Sequence, residues 1–79
     1  MTTYIRVDAY VHEEEREIDA ELRIEDAEKD HEADLAVITI ATHNWQEGDE
    51  LGKVWLTLAQ ATALRDDLTN RINQETQQA

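Results

Sequence analysis

Three histidines and nineteen acidic side chains are the groups in this sequence best suited to ligate a metal or move a proton. His12 precedes Glu13-Glu14-Glu15, His31 sits within Lys29-Asp30-His31-Glu32, and His43 precedes Asn44 and Trp45. A helical zinc site places two histidines one turn apart, as in HExxH, and a calcium loop alternates its acids around a central glycine. Neither spacing occurs, so the histidines read as solvated turn residues, and no metal or cofactor is expected. The chain contains neither Cys nor Ser, which removes two common nucleophiles and every thiolate metal site. It also lacks a glycine-rich run that could cradle a phosphate. Paired carboxylates do acid–base work only where a desolvated cleft drives their pKa values apart, and a chain of 79 residues leaves little room for one. No catalytic residues are assigned, and the expectation is a protein that is not an enzyme.

The acids carry a different signal. Nineteen acids against seven bases give a net charge of -12, which opposes binding to nucleic acid or to an anionic membrane. The charge is also local. From Asp8 to Asp34 there are thirteen acids and three bases, leaving six acids and four bases for the rest of the chain. Adaptation to high salt would spread acids over the whole surface, so the clustering argues for a local use of charge. The chain has 41% hydrophobic residues but only 5% aromatic ones, which implies one small domain, residues 1–79, with a thin aliphatic core. No apolar run approaches the roughly 18 residues of a membrane span. The start MTTYIRVDAY lacks the order of a signal peptide, and the absence of Cys fits a reducing compartment, so a soluble cytoplasmic protein is expected.

The elements that would position these charges follow from periodicity. Ile5, Val7, Ala9 and Val11 alternate with Arg6, Asp8 and Tyr10, the period of a half-buried strand. After the turn at Glu13, Glu14 and Glu15 the same period returns as Ile18, Ala20, Leu22 and Ile24 against Glu17, Asp19, Glu21, Arg23 and Glu25. Helix propensity competes there, but a helix would leave Ile24 off its apolar stripe, so a second strand is preferred. Asp26 to Asp34 has no periodicity and reads as a solvated connection or a short helical turn. Leu35 to Thr42 is apolar on both parities and predicts a third strand covered on both faces. Lys53 to Leu56 is a short fourth strand after a loop holding both glycines. Thr57-Leu58-Ala59-Gln60 fits a capping box, opening a helix to about Asn73 with the stripe Ala61, Leu64, Leu68 and Ile72, beyond which the chain should fray from about residue 75. The fold class is α+β, a four-stranded antiparallel sheet in β-β-β-β-α order with the helix packed on one face. Leu64, Leu68 and Ile72 should be buried against Val7, Leu22 and their strand neighbours.

On the second strand Glu17, Asp19, Glu21 and Glu25 form a row with roughly 6.8 Å between alternate residues, a spacing that approaches the charge density of a nucleic-acid backbone when the turn acids are added. In charge and size the chain resembles the phage-encoded DNA-mimic inhibitors, among them the uracil-DNA glycosylase inhibitors, the anti-restriction and anti-CRISPR proteins, and the acidic immunity proteins. That likeness is compositional and carries no residues over. It implies a small inhibitor that binds a basic, nucleic-acid-binding host protein rather than nucleic acid itself. The candidate partner-binding residues are Glu13, Glu14, Glu15, Glu17, Asp19, Glu21 and Glu25, with Tyr10 and Trp55 as aromatic anchors. Trp55 lies either on the helix side of its strand or on the opposite face. A homodimer built on the third strand and Trp55, with the acids serving only solubility, is the alternative.

Overall fold

The computed structural model describes residues 1–27 and 35–78. His31 and most of the Asp26 to Asp34 connection lie outside the described residues. Four strands, β1 (Thr3–Val11), β2 (Arg16–Asp26), β3 (Ala36–Asn44) and β4 (Glu50–Thr57), form one antiparallel sheet in the order β1-β2-β3-β4, followed by helix α1 (Leu58–Gln78). The expected α+β architecture with β-β-β-β-α order is therefore present. β2 is a strand and not a helix, and it pairs on both sides, with Leu22 opposite Ile5 on β1 and Thr42 on β3. Cross-strand partners share a face, so Ile5, Val7, Ile18, Leu22, Ile24, Ile38, Ile40, Val54 and Leu56 line one face, here the inner face.

The turns explain the hairpins. Between β1 and β2, Glu14 N–H donates to Val11 O at 3.2 Å and Glu15 N–H to His12 O at 3.3 Å, with Glu15 in the left-handed region at φ 51°. Between β3 and β4, Asn44 Oδ1 accepts from the N–H groups of Gln46 (2.9 Å) and Glu47 (3.1 Å), and Gly48 takes φ 78°, a conformation that costs glycine nothing. β4 starts earlier than Lys53. Register shifts by one residue between Thr42 and His43, so a bulge lets Leu51 and Gly52 stay in the strand where the sequence suggests a turn. A second shift between Ala36 and Ile38 places Val37 in a bulge. On the outer face β3 then presents Thr39, Ala41 and His43, with Ala41 buried between Arg23 and Lys53 in register. The reading of β3 as apolar on both faces is thus corrected for its middle and end: beyond the Val37 bulge the outer face carries Thr39 and His43 around Ala41.

Thr57 caps α1 reciprocally, since Gln60 N–H donates to Thr57 Oγ1 at 3.2 Å and Thr57 N–H to Gln60 Oε1 at 3.0 Å. The helix does not stop near Asn73 but continues to Gln78, because no Gly or Pro interrupts it and Gln and Glu are good helix formers. The tail expected to fray is its last turn.

The placement of α1 corrects a second expectation. The helix follows Thr57 with no linker, so it folds back from the edge strand and its backbone approaches only β4 and β3. A helix about 10 Å wide spans about two strands at roughly 4.8 Å spacing. Leu64, Leu68 and Ile72 therefore face Ile24, Ile38, Ile40 and Leu56 across an open groove of about 310 Å³, not Val7 and Leu22. They remain 40%, 48% and 61% exposed. Among the described residues only Ala20 and Ala41 are buried apolar residues, and no large side chain is fully enclosed.

Candidate functional site

The outer face of the β1–β2 hairpin carries the expected charges. Register places Tyr4 opposite Arg23, Arg6 opposite Glu21, Asp8 opposite Asp19 and Tyr10 opposite Glu17, so the β2 row Glu17, Asp19, Glu21 and Glu25 faces away from the helix as the alternation requires. The two arginines on this face change what the row can do. Arg6 Nη2 lies 3.5 Å from Asp19 Oδ2, and its guanidinium stacks 4.3 Å over the Trp45 ring. Arg23 Nε donates to Glu21 Oε1 at 2.7 Å, with its guanidinium 5.6 Å from the Tyr4 ring centre. That bond to Glu21, with the charges of Glu21 and Glu25 behind it, raises the Arg23 pKa above its ordinary value against an opposing desolvation effect. Glu21 itself is only 8% exposed.

The acids of the row consequently differ in kind. Asp19 and Glu21, at the middle of β2, are matched by cross-strand and same-strand arginines. Toward the turn, Asp8, Glu13, Glu15 and Glu17 are exposed and make no ion pair with any described residue, while Glu14 takes Arg16 at 2.7 Å. Glu25 stands at the opposite end of the strand, exposed. Among the described residues, charge is thus neutralised at the centre of the hairpin and left unbalanced at its tip and, through Glu25 and Asp26, at its opposite end. The tip also holds an edge-to-face pair between the Tyr10 and His12 rings, centroids 4.9 Å apart.

Trp55 lies on the outer face, opposite Thr39 in register and 37% exposed, and the alternative in which it faces the helix does not hold. It shares a shallow polar hollow with Arg23, Glu25, His43, Glu50 and Lys53. Two strands separate it from Tyr10, so the aromatic anchors named together from the sequence do not form one patch. His43 sits opposite Glu21 with a buried Nδ1 that has no hydrogen-bond partner among the described residues. Among the described residues no group of three His, Asp or Glu side chains could hold a metal ion. No described helix is long and apolar enough to cross a membrane.

Sequence reasoning placed Arg6 and Arg23 on this face but missed Trp45 and His43 as parts of it. Arg6 and Arg23 share the parity of the acids, which was readable, but while Arg23 meets Glu21 two residues away on its own strand, the acid that Arg6 meets depends on the register with a residue thirteen positions away. Trp45 is delivered by the β3–β4 loop, whose backbone is fixed to β2 through Trp45 N–H donating to Asp19 O at 2.9 Å. No family model, no curated protein and no solved structure matches this chain.

Proposed function

We propose that this chain is a non-catalytic protein-interaction module that offers the acidic tip of its β1–β2 hairpin to a basic surface on another protein. The observation that carries this reading is the concentration of unmatched acids around the β1–β2 turn. Arginines neutralise Asp19 and Glu21, while Asp8, Glu13, Glu15 and Glu17 stand exposed and unmatched around the turn. A face that served solubility alone would have no need for that asymmetry. Glu15 adds weight, because it occupies a left-handed position where Gly or Asn would cost less. An acid held at a conformation that disfavours it is what a charge requirement at the tip would produce. The fit of the resemblance to nucleic-acid mimics is narrower than the full row implied, since among the described residues Asp19 and Glu21 are paired while Glu17 and Glu25 of the row are not. A basic protein surface, including one that normally holds nucleic acid, is the partner class that such a tip attracts.

The test is affinity capture from a host lysate with the wild-type chain and with Glu13→Lys, Glu15→Lys and Glu17→Lys combined, at about 0.05 M and about 0.5 M salt. The reading expects a basic protein retained by wild type at low salt, lost at high salt, and lost from the triple variant. Retention of the same proteins by the variant refutes it. Adding duplex DNA to the captured complex then separates a nucleic-acid site on the partner, which DNA would clear, from another basic surface, which it would not.

A further inference from the structure

The inner face of the sheet is open where α1 does not reach. Among the described residues no element packs over Ile5, Val7, Ile18 and Leu22 on β1 and β2, and the helix stripe beside them is half exposed. The chain exposes 6583 Å², whereas a compact monomer of 9.1 kDa exposes about 4,900 Å², an excess of about 1,700 Å². Its radius of gyration is 14.6 Å against about 11.6 Å for a compact domain of this length. An obligate homodimer needs roughly 1,000 Å² from each chain at its lower limit, which is less than this whole-chain excess.

We infer that the inner face is covered by a second copy of this chain, the two sheets meeting inner face to inner face around a two-fold axis. Charge selects the occupant. A chain of net charge -12 repels its copy least on a face almost free of acids, and the paired inner-face positions of β1 and β2 carry one base, Arg16, and one acid, Asp26, both at strand ends. A basic partner is drawn instead to the outer face and the tip. One copy also supplies what the other lacks: a half-exposed leucine and isoleucine ridge on α1, and an uncovered aliphatic sheet beside it. The contact is self-complementary, as a two-fold interface must be. This differs from a dimer through β3 and Trp55, which would use the polar outer face. It is also independent of whether the hairpin tip binds a partner.

Sedimentation equilibrium on wild type, Val7→Glu and Trp55→Ala over about 2 to 200 µM tests it. The expected result is a species of twice the 9.1 kDa chain mass for wild type and Trp55→Ala, with Val7→Glu dissociating at least about 30-fold more readily because it places an unpaired charge in an apolar contact. Ile5→Cys gives a readout that survives if Val7→Glu fails to fold, since the chain has no other thiol. Ile5 is 43% exposed in the single chain, so its cysteine should be shielded from iodoacetamide at high concentration and react on dilution, while Tyr10→Cys reacts throughout. A wild-type monomer at 200 µM, an assembly larger than two chains, a dimer lost in Trp55→Ala but kept in Val7→Glu, or a cysteine at position 5 that reacts equally at all concentrations overturns the inference.

Discussion

Leu68→Ala removes three carbons from the middle of the helix stripe, and the structure fixes how much that should cost. Full burial of three such carbons is worth about 2.4 kcal/mol at about 0.8 kcal/mol each. Leu68 is 48% exposed within one chain, so the loss against its own sheet is about 1.2 kcal/mol. Alanine's better helix propensity returns about 0.2 kcal/mol, leaving about 1 kcal/mol. If a second copy closes over the groove, Leu68 becomes a core residue and the cost rises toward the 2 to 5 kcal/mol typical of buried Leu→Ala changes, roughly twice the single-chain figure or more. Urea unfolding of both proteins at about 2 µM and about 200 µM separates these cases, because a hundredfold change in concentration adds about 2.7 kcal/mol to a dimer and nothing to a monomer. The account expects a cost above about 2 kcal/mol and midpoints that rise with concentration. A cost near 1 kcal/mol with fixed midpoints would refute the covered face, and no measurable cost would refute the packing of α1 on β3 and β4.

Thr57→Ala should lower stability by about 1 kcal/mol in the same unfolding assay, since it deletes the hydroxyl that accepts from Gln60 N–H, whereas Thr57→Ser should keep most of it. Glu15→Gly should raise stability by about 1 kcal/mol by relieving the left-handed backbone, and should weaken partner capture at the same time if the tip carries the interaction. Arg23→Met leaves the carboxylate of Glu21 enclosed without its partner, and a loss of about 1 to 3 kcal/mol is expected, with Glu21→Gln in the same chain recovering part of it in a double-mutant cycle.

Much of the fold was legible because alternation and capping are local. Ile18, Ala20, Leu22 and Ile24 on one parity decided β2 against its helix-forming composition, and Thr57 with Gln60 marked the start of α1 to the residue. The outward direction of Glu17, Asp19, Glu21 and Glu25 followed from the same parity. Features that depend on register or on the path of the chain were not legible. Arg6 meets Asp19 and Trp45 only because β1, β2 and the β3–β4 loop come together, and nothing local distinguishes Asp19 from Glu17. The bulge that keeps Gly52 in β4 hides behind a residue that ordinarily ends strands. Burial of Leu64, Leu68 and Ile72 was overestimated because an apolar stripe states which helix face turns toward the sheet, not how far the sheet encloses it.

The central functional claim concerns charge at the hairpin tip, and the salt dependence of one association rate tests it most directly. With a captured partner immobilised, the association rate constant of the wild-type chain is measured from about 0.05 M to about 0.5 M salt, then repeated with Glu17→Lys. Electrostatic steering by Glu13, Glu15 and Glu17 predicts a wild-type rate that falls at least about tenfold over that range, a slower rate for the variant at low salt, and convergence of the two at high salt. A rate that is flat in salt, or identical for the two chains at about 0.05 M, would contradict the claim that the acidic tip recruits the partner.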